Sequence, residues 1–180
     1  MTTAWYFAYG SNMQSATLRG RRGVQFHRAL PARAPGWRLV LDKPPLFSSG
    51  NSFANIVPDP AAETLGVAFE VAEDDLPHID LTEGVLIGNY ERVATTVFPL
   101  RAPRSAPTNA LAAFTLSSER RDPTLQPSTR YMSMLIEGAI EHGLPDDYVA
   151  FLRTIPACAE SEELQRLRPM IDEAMRSLRR

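Results

Sequence analysis

The period of the apolar pattern changes once along the chain, and that change bounds the folds open to it. In the first part apolar residues recur at every second position. Trp37, Leu39 and Leu41 alternate with Arg38, Val40 and Asp42; Leu65, Val67, Phe69 and Val71 alternate with Gly66, Ala68 and Glu70. That is the period of a strand with one buried face. Trp5 to Tyr9 is a further β-favouring run, Tyr90 to Leu100 is rich in β-branched residues, and Asn109 to Leu116 reads as a partner strand. Ser48-Ser49-Gly50-Asn51, Pro58-Asp59-Pro60 and Pro103 to Pro107 read as turns between them. After Pro127-Ser128 the period becomes helical: Tyr131, Met134, Leu135, Gly138, Ala139 and His142 fall on one face, with Ser128 as N-cap and Gly143 with Pro145 as the stop. A short helix around Asp147 to Leu152 follows. Glu162 to Leu178 reads as a terminal helix interrupted at Pro169, and Arg176, Arg179 and Arg180 near its end suit the helix dipole. Roughly five to seven short strands with little room for crossover helices predict an α+β fold, its sheet largely antiparallel or mixed and able to close into a barrel.

Composition removes several function classes. A chain of 180 residues suits one domain with a core of its own. The net charge of −2 argues against nucleic-acid binding, which needs a basic surplus. The single cysteine, Cys158, excludes an internal disulfide and a Cys-pair zinc site, and His27, His78 and His142 have no partners at metal-ligand spacing. No signal peptide is recognisable, and no apolar run approaches the ~18 residues that cross a bilayer, so a cytoplasmic location is expected. Lys43 is the only lysine. It sits in Lys43-Pro44-Pro45, which reads as a loop and a poor place to desolvate an amine, so Schiff-base chemistry is set aside.

Two segments carry candidate chemistry. In Tyr6-Phe7-Ala8-Tyr9-Gly10-Ser11-Asn12-Met13 a buried strand ends at a glycine, and a helix over Met13 to Arg19 is expected to follow with Ser11 or Asn12 as its cap. The free N–H groups of such a corner hold a carboxylate or an oxyanion; the alternative is an ordinary capped turn. In the second segment, Glu73 to Gly84, the acidic residues and Pro77 mark a helix start and Gly84 its C′ position. Glu83 shares a face with Leu76 and Ile79 and stands at the negative end of that helix. Burial and dipole both disfavour its charged form, as suits a general base near neutral pH. The alternative is a frayed helix end with Glu83 in water.

Tyr6 to Met13 resembles the signature of the γ-glutamylcyclotransferase family. Ile79-Asp80-Leu81-Thr82-Glu83-Gly84-Val85 is similar to that family's Leu-Asp-x-x-Glu-Gly-Val segment, and Gly88-Asn89-Tyr90 to a third element that carries a site tyrosine. Tyr131 falls where the family has another substrate-contacting tyrosine, and Gly143-Leu144-Pro145 and Tyr148 also match. The resemblance runs from Tyr6 to about Ile155 and leaves out the tail from Glu160. Phe114 stands where some members have a further tyrosine, and Asn12 departs from the Tyr-Gly-Ser-Leu of the branch acting on glutathione.

The resemblance implies a small mixed, mostly antiparallel β-barrel flanked by helices, without metal or organic cofactor. Residues 1–158 would form that domain and 159–180 a helical extension packed on it. It implies cyclisation of a γ-glutamyl group to 5-oxoproline with release of an amino acid or amine. Glu83 would be the general acid and base, and Tyr6, Tyr9, Gly10, Ser11, Asn12, Tyr90 and Tyr131 would bind substrate. A non-catalytic binder of a γ-glutamyl or carboxylate metabolite is the alternative. The expected partner is a small-molecule substrate, with no nucleic acid or membrane, and a homodimer is left open.

Overall fold

The computed structural model describes residues 2–46, 50–100 and 110–178. The expected turn at Pro103 to Pro107, Ser48 and Ser49 of the Ser48 to Asn51 turn, and Arg179 and Arg180 lie outside the described residues. The strands are β1 (Thr3–Ala8), β2 (Phe26–Lys43), β3 (Asn51–Ala72), β4 (Glu91–Pro99), β5 (Leu111–Ser117) and the short β6 (Gln126–Pro127). They pair in the order β1-β5-β4-β2-β3, and β3 returns to β1, which closes the sheet into a barrel. The β1–β5 pair is parallel and the other barrel pairs are antiparallel. Closure leaves no free edge within the barrel.

Alternation builds its interior. Val67, Phe69 and Val71 are fully buried, and Tyr6, Phe7 and Ala8 of β1 pack with them. On β2 the reading is partly inverted: Trp37, Leu39 and Leu41 are only half-buried, whereas Ala32, Ala34 and Val40 go deeper. Register shifts at Pro35/Trp37 and Val40/Lys43 turn the strand as it curves round the barrel. Pro58-Asp59-Pro60 is not a chain reversal. Pro58 pairs with Trp37 and Glu63 with Pro35, so residues 59–62 bulge out of a ladder that continues beyond them.

The helices are α1 (Leu76–Glu83), α2 (Thr129–Glu141), α3 (Asp146–Thr154) and α4 (Glu162–Ser177). Ser128 caps α2 as expected, its side chain accepting from the Tyr131 N–H at 3.1 Å. Gly138 lets α2 cross the loop after β1 at backbone contact: a Cβ there would lie 2.6 Å from the Gln14 nitrogen. The expected interruption at Pro169 does not end α4. The carbonyl that loses its donor belongs to Gln165, on the exposed side of the helix and open to solvent.

Candidate active site

The loop after β1 differs from the expected capped helix. Ser11–Met13 form one 3-10 turn without a side-chain cap, and a π-helical segment, Ala16–Arg21, follows. Asn12 does not cap because its side chain turns into the cavity, where Oδ1 faces the Arg22 Nε at 3.5 Å. Its Nδ2 donates to Glu83 Oε1 at 2.8 Å and to the Tyr6 hydroxyl at 2.9 Å. Met13 and Gln14 use their N–H groups within the turn, on the carbonyls of Gly10 and Ser11. Those of Ser11 and Asn12 take no part in the turn, and the Ser11 N–H faces the Tyr131 hydroxyl.

Glu83 ends α1 as the sequence predicts. Gly84 follows in the left-handed region, φ 70°, and its N–H closes the helix on the Asp80 and Leu81 carbonyls. The Glu83 side chain is 6% exposed, so the frayed-end alternative is not what forms. Sequence reasoning missed its counter-charge. The Arg22 Nε lies 2.9 Å from Glu83 Oε1, and Arg22 Nη1 donates to the Thr82 carbonyl at 2.7 Å. π-Type turns recur at functional sites, and here one delivers Arg22 beneath α1. His78 fixes it there, donating from Nε2 to the Arg22 carbonyl at 2.6 Å. Asn12 and Arg22 both engage Oε1, and Oε2 has no hydrogen-bond partner among the described residues.

All the sequence-predicted site residues, Tyr6, Tyr9, Gly10, Ser11, Asn12, Glu83, Tyr90 and Tyr131, line one cavity of about 260 Å³. Their hydroxyls are not equivalent. Tyr9 donates to the Leu116 carbonyl at 2.5 Å and Tyr90 to the Ala54 carbonyl at 2.9 Å, so both protons are committed to barrel backbone. The Tyr131 oxygen accepts from the Ala54 N–H at 3.1 Å and lies against the Ser11 backbone N–H and hydroxyl, with no barrel carbonyl as its acceptor. Burial holds the Tyr6, Tyr9, Tyr90 and Tyr131 hydroxyls above their ordinary values, so they stay neutral donors and acceptors. Phe114 is not on this cavity; it stacks on the Tyr6 ring at 5.2 Å. His142 is structural, set edge-on to Phe69 at 5.4 Å.

Two further contributors, besides Arg22, escaped the sequence reading. Lys43 is buried on the cavity wall, contrary to its reading as a solvated loop residue. Its cue was its rarity in a chain that otherwise uses arginine. The second is α4, whose Leu164, Arg168, Ile171 and Met175 line the cavity at the spacing of one helix face. The Arg21–Asp172 ion pair at 3.1 Å ties it to the π-helical segment.

A family model, the AIG2-like family, matches residues 63–152. Gamma-glutamyl cyclotransferase aclK of Aspergillus oryzae is 30% identical over 169 residues, covering 86% of this chain and 62% of that protein. The chain therefore spans less than two thirds of that relative's length. Gamma-glutamylcyclotransferase of Bos taurus is 27% identical over 153 residues, covering 83% of this chain and 77% of that one. A solved gamma-glutamyl cyclotransferase structure superposes with a TM-score of 0.73 at 23% identity, over 96% of this chain and 99% of that one. An uncharacterized Homo sapiens protein does so at 0.74 and 23%, over 95% and 99%. At that identity the likeness speaks for the fold. The family match spans half of the chain and takes in Glu83, Tyr90 and Tyr131, and the chain belongs to the AIG2-like family.

Proposed function

We propose that this protein closes a γ-glutamyl group on itself. The free α-amine attacks the γ-carbonyl, 5-oxoproline forms, and an amino acid or amine leaves. The observation that carries the reading is Glu83: a buried carboxylate with Oε1 tethered and Oε2 unpartnered, on the wall of a cavity of about 260 Å³. The likeness to proteins named as gamma-glutamylcyclotransferases supports it.

Nucleophile and electrophile belong to one molecule, so the site has mainly to hold the folded-back conformer; well-aligned intramolecular reactions reach effective molarities of ~10⁵ M or more. Glu83 Oε2 takes a proton from the α-ammonium, and the amine adds to the γ-carbonyl. Glu83 returns the proton to the leaving nitrogen as the C–N bond breaks, and the second proton, shed by the ring nitrogen as the lactam forms, passes through Glu83 to the released amine. Arg22 and Asn12 keep the carboxylate from rotating between these steps. The N–H groups of Ser11 and Asn12 hold the α-carboxylate or the developing oxyanion, and Tyr6 and Tyr131 supply hydroxyls that are not committed to barrel carbonyls. Tyr9 and Tyr90, with their protons committed, shape the wall.

The test is a panel of γ-glutamyl dipeptides, γ-glutamyl amines and glutathione, scored for 5-oxoproline. Glu83→Gln should lower turnover by ~10² or more, the scale of acid–base catalysis, with the fold retained. Release of free glutamate would make the enzyme a hydrolase. Binding without turnover by the unaltered protein would make it a carriage site for such metabolites.

A further inference from the structure

Lys43 is a buried charge for which the mechanism above has no use. It ends β2 at 1% exposure and lines the cavity that holds Glu83. Its Nζ donates to the Pro44 carbonyl at 2.9 Å and to Asn89 Oδ1 at 2.5 Å, and lies 4.7 Å from the centroid of the Tyr90 ring. Asn89 continues the chain of contacts. Its Nδ2 donates to the Glu83 carbonyl at 2.9 Å, and its backbone N–H to the Gly84 carbonyl at 2.9 Å. Arg120 Nη1 shares the Asn89 Oδ1 at 3.1 Å. The sole lysine is therefore linked through one side chain to the backbone from which Glu83 projects. Burying an ammonium beside a second cation is costly, and an apolar side chain would fill the same space without that cost. What the ammonium adds is a charge-assisted donor to Asn89 and a positive pole on the wall shared with Glu83.

We propose that Lys43 is a positioning residue for Glu83: acting through Asn89, its ammonium fixes the end of α1 so that the carboxylate meets the α-amine of the substrate. This rests on the cyclotransferase reading. The ionisable groups around it are few. Glu83 faces it from α1, Arg120 from beyond β5 and Tyr90 from ahead of β4, while Asp42 beside it is paired with Arg121. Burial, and then Arg120, push the Lys43 amine down to about 8, with Glu83 pulling it upward. Tyr90 stays neutral because burial holds its hydroxyl well above the ordinary value. The ammonium is thus lost just above neutral pH. The neutral amine is a weaker donor to Asn89, and activity should step down to a plateau there.

The test is a mutant cycle with a pH profile. Lys43→Met and Asn89→Ala should each lower kcat about tenfold, within the range that misplacing a catalytic group costs, with KM changed less. The double variant should be no worse than the poorer single. The step near pH 8 should be absent from Lys43→Met. Losses that multiply in the double variant, or a step that survives in Lys43→Met, would overturn the proposal. A second measurement needs no turnover and serves even if Lys43→Met fails to fold. With ¹⁵N-lysine incorporated, the chain gives one side-chain resonance, because it has one lysine. That resonance should titrate near 8 and move lower in Glu83→Gln. A resonance indifferent to Glu83→Gln would refute the link between the two groups. Absence of 5-oxoproline from every substrate would refute the cyclotransferase reading, and the lysine titration would still decide the coupling.

Discussion

Replacing Gly138 by alanine places a methyl group where the backbone of the site loop already lies. The new Cβ would stand 2.6 Å from the Gln14 nitrogen, 2.7 Å from the Met13 carbonyl carbon and 2.8 Å from the Met13 Cβ. Ordinary contact between such atoms is ~3.5–4.0 Å, so helix and loop must separate by about 1 Å. Two energies then oppose each other. Overpacking costs ~1–3 kcal/mol, and alanine in place of glycine in a helix interior returns ~1 kcal/mol. The net loss is ~0–2 kcal/mol, a fall of at most ~8 °C in Tm for a chain of this size. The effect on the site is far larger. Asn12 stands next to Met13 and bridges Glu83 at 2.8 Å and Tyr6 at 2.9 Å. A shift of ~1 Å breaks that bridge, and misplacement on that scale can lower a rate by ~10². Thermal unfolding followed by circular dichroism, alongside 5-oxoproline formation measured well below Tm, separates the two. The expected result is a protein nearly as stable as its parent and about a hundredfold slower. Full activity would refute the reasoning, as would a loss that only tracks the unfolded fraction.

Arg22→Leu leaves Glu83 buried without its cation. It should destabilise the fold by ~3–5 kcal/mol in urea unfolding at pH 7, and adding Glu83→Gln should recover much of that. Lys43 sets a pH dependence of stability. Its folded value of about 8 lies below the ~10.4 of a free lysine, so between those limits the unfolded chain binds the extra proton and stability rises with pH. The gain is about 1.5 kcal/mol from pH 8 to 9.5, the slope reaching its full 1.36 kcal/mol per unit only above the folded value, and it should vanish in Lys43→Met. At Gly10 a Cβ would lie 3.1 Å from the Tyr131 hydroxyl and 3.3 Å from the Ala54 Cβ. Gly10→Val should therefore weaken 5-oxoproline binding in calorimetry, and Ser11→Ala, which keeps the backbone N–H, should do so less. Cys158 does not line the cavity, so its alkylation should leave turnover largely intact.

What could be read from the sequence was local. Pro77 and Gly84 bracket α1, and Ser128 caps α2, because those signals act within a turn or two of where they stand. Alternation revealed Val67, Phe69 and Val71 as interior residues. Glu83 was visible as a carboxylate on an apolar helix face. Its partners were not, since each depends on chain geometry far from it. Asn12 looked like a cap, but its side chain is held in the cavity between a carboxylate 71 positions away and the Arg22 guanidinium. Arg22 reaches α1 only because the preceding segment winds as a π-helix. Lys43 enters the cavity only because β2 shifts register between Val40 and Lys43. Pro58 to Pro60 carried every mark of a turn, yet the long β2–β3 ladder absorbs them as a bulge.

The cavity draws its walls from two sources with different mechanical ties. The Glu83 side is tied to the closed barrel, through Asn12 to Tyr6 of β1 and through the Tyr90 hydroxyl to the Ala54 carbonyl of β3. The side made by α4 belongs to a half-exposed helix held to the loop region by the Arg21–Asp172 ion pair. Side chains at 164, 168, 171 and 175 can be exchanged there without altering a single barrel pairing. The chain is in this respect a fixed pocket with a replaceable face, and on the cyclotransferase reading a change of leaving group calls for redesigning one helix in place of a fold.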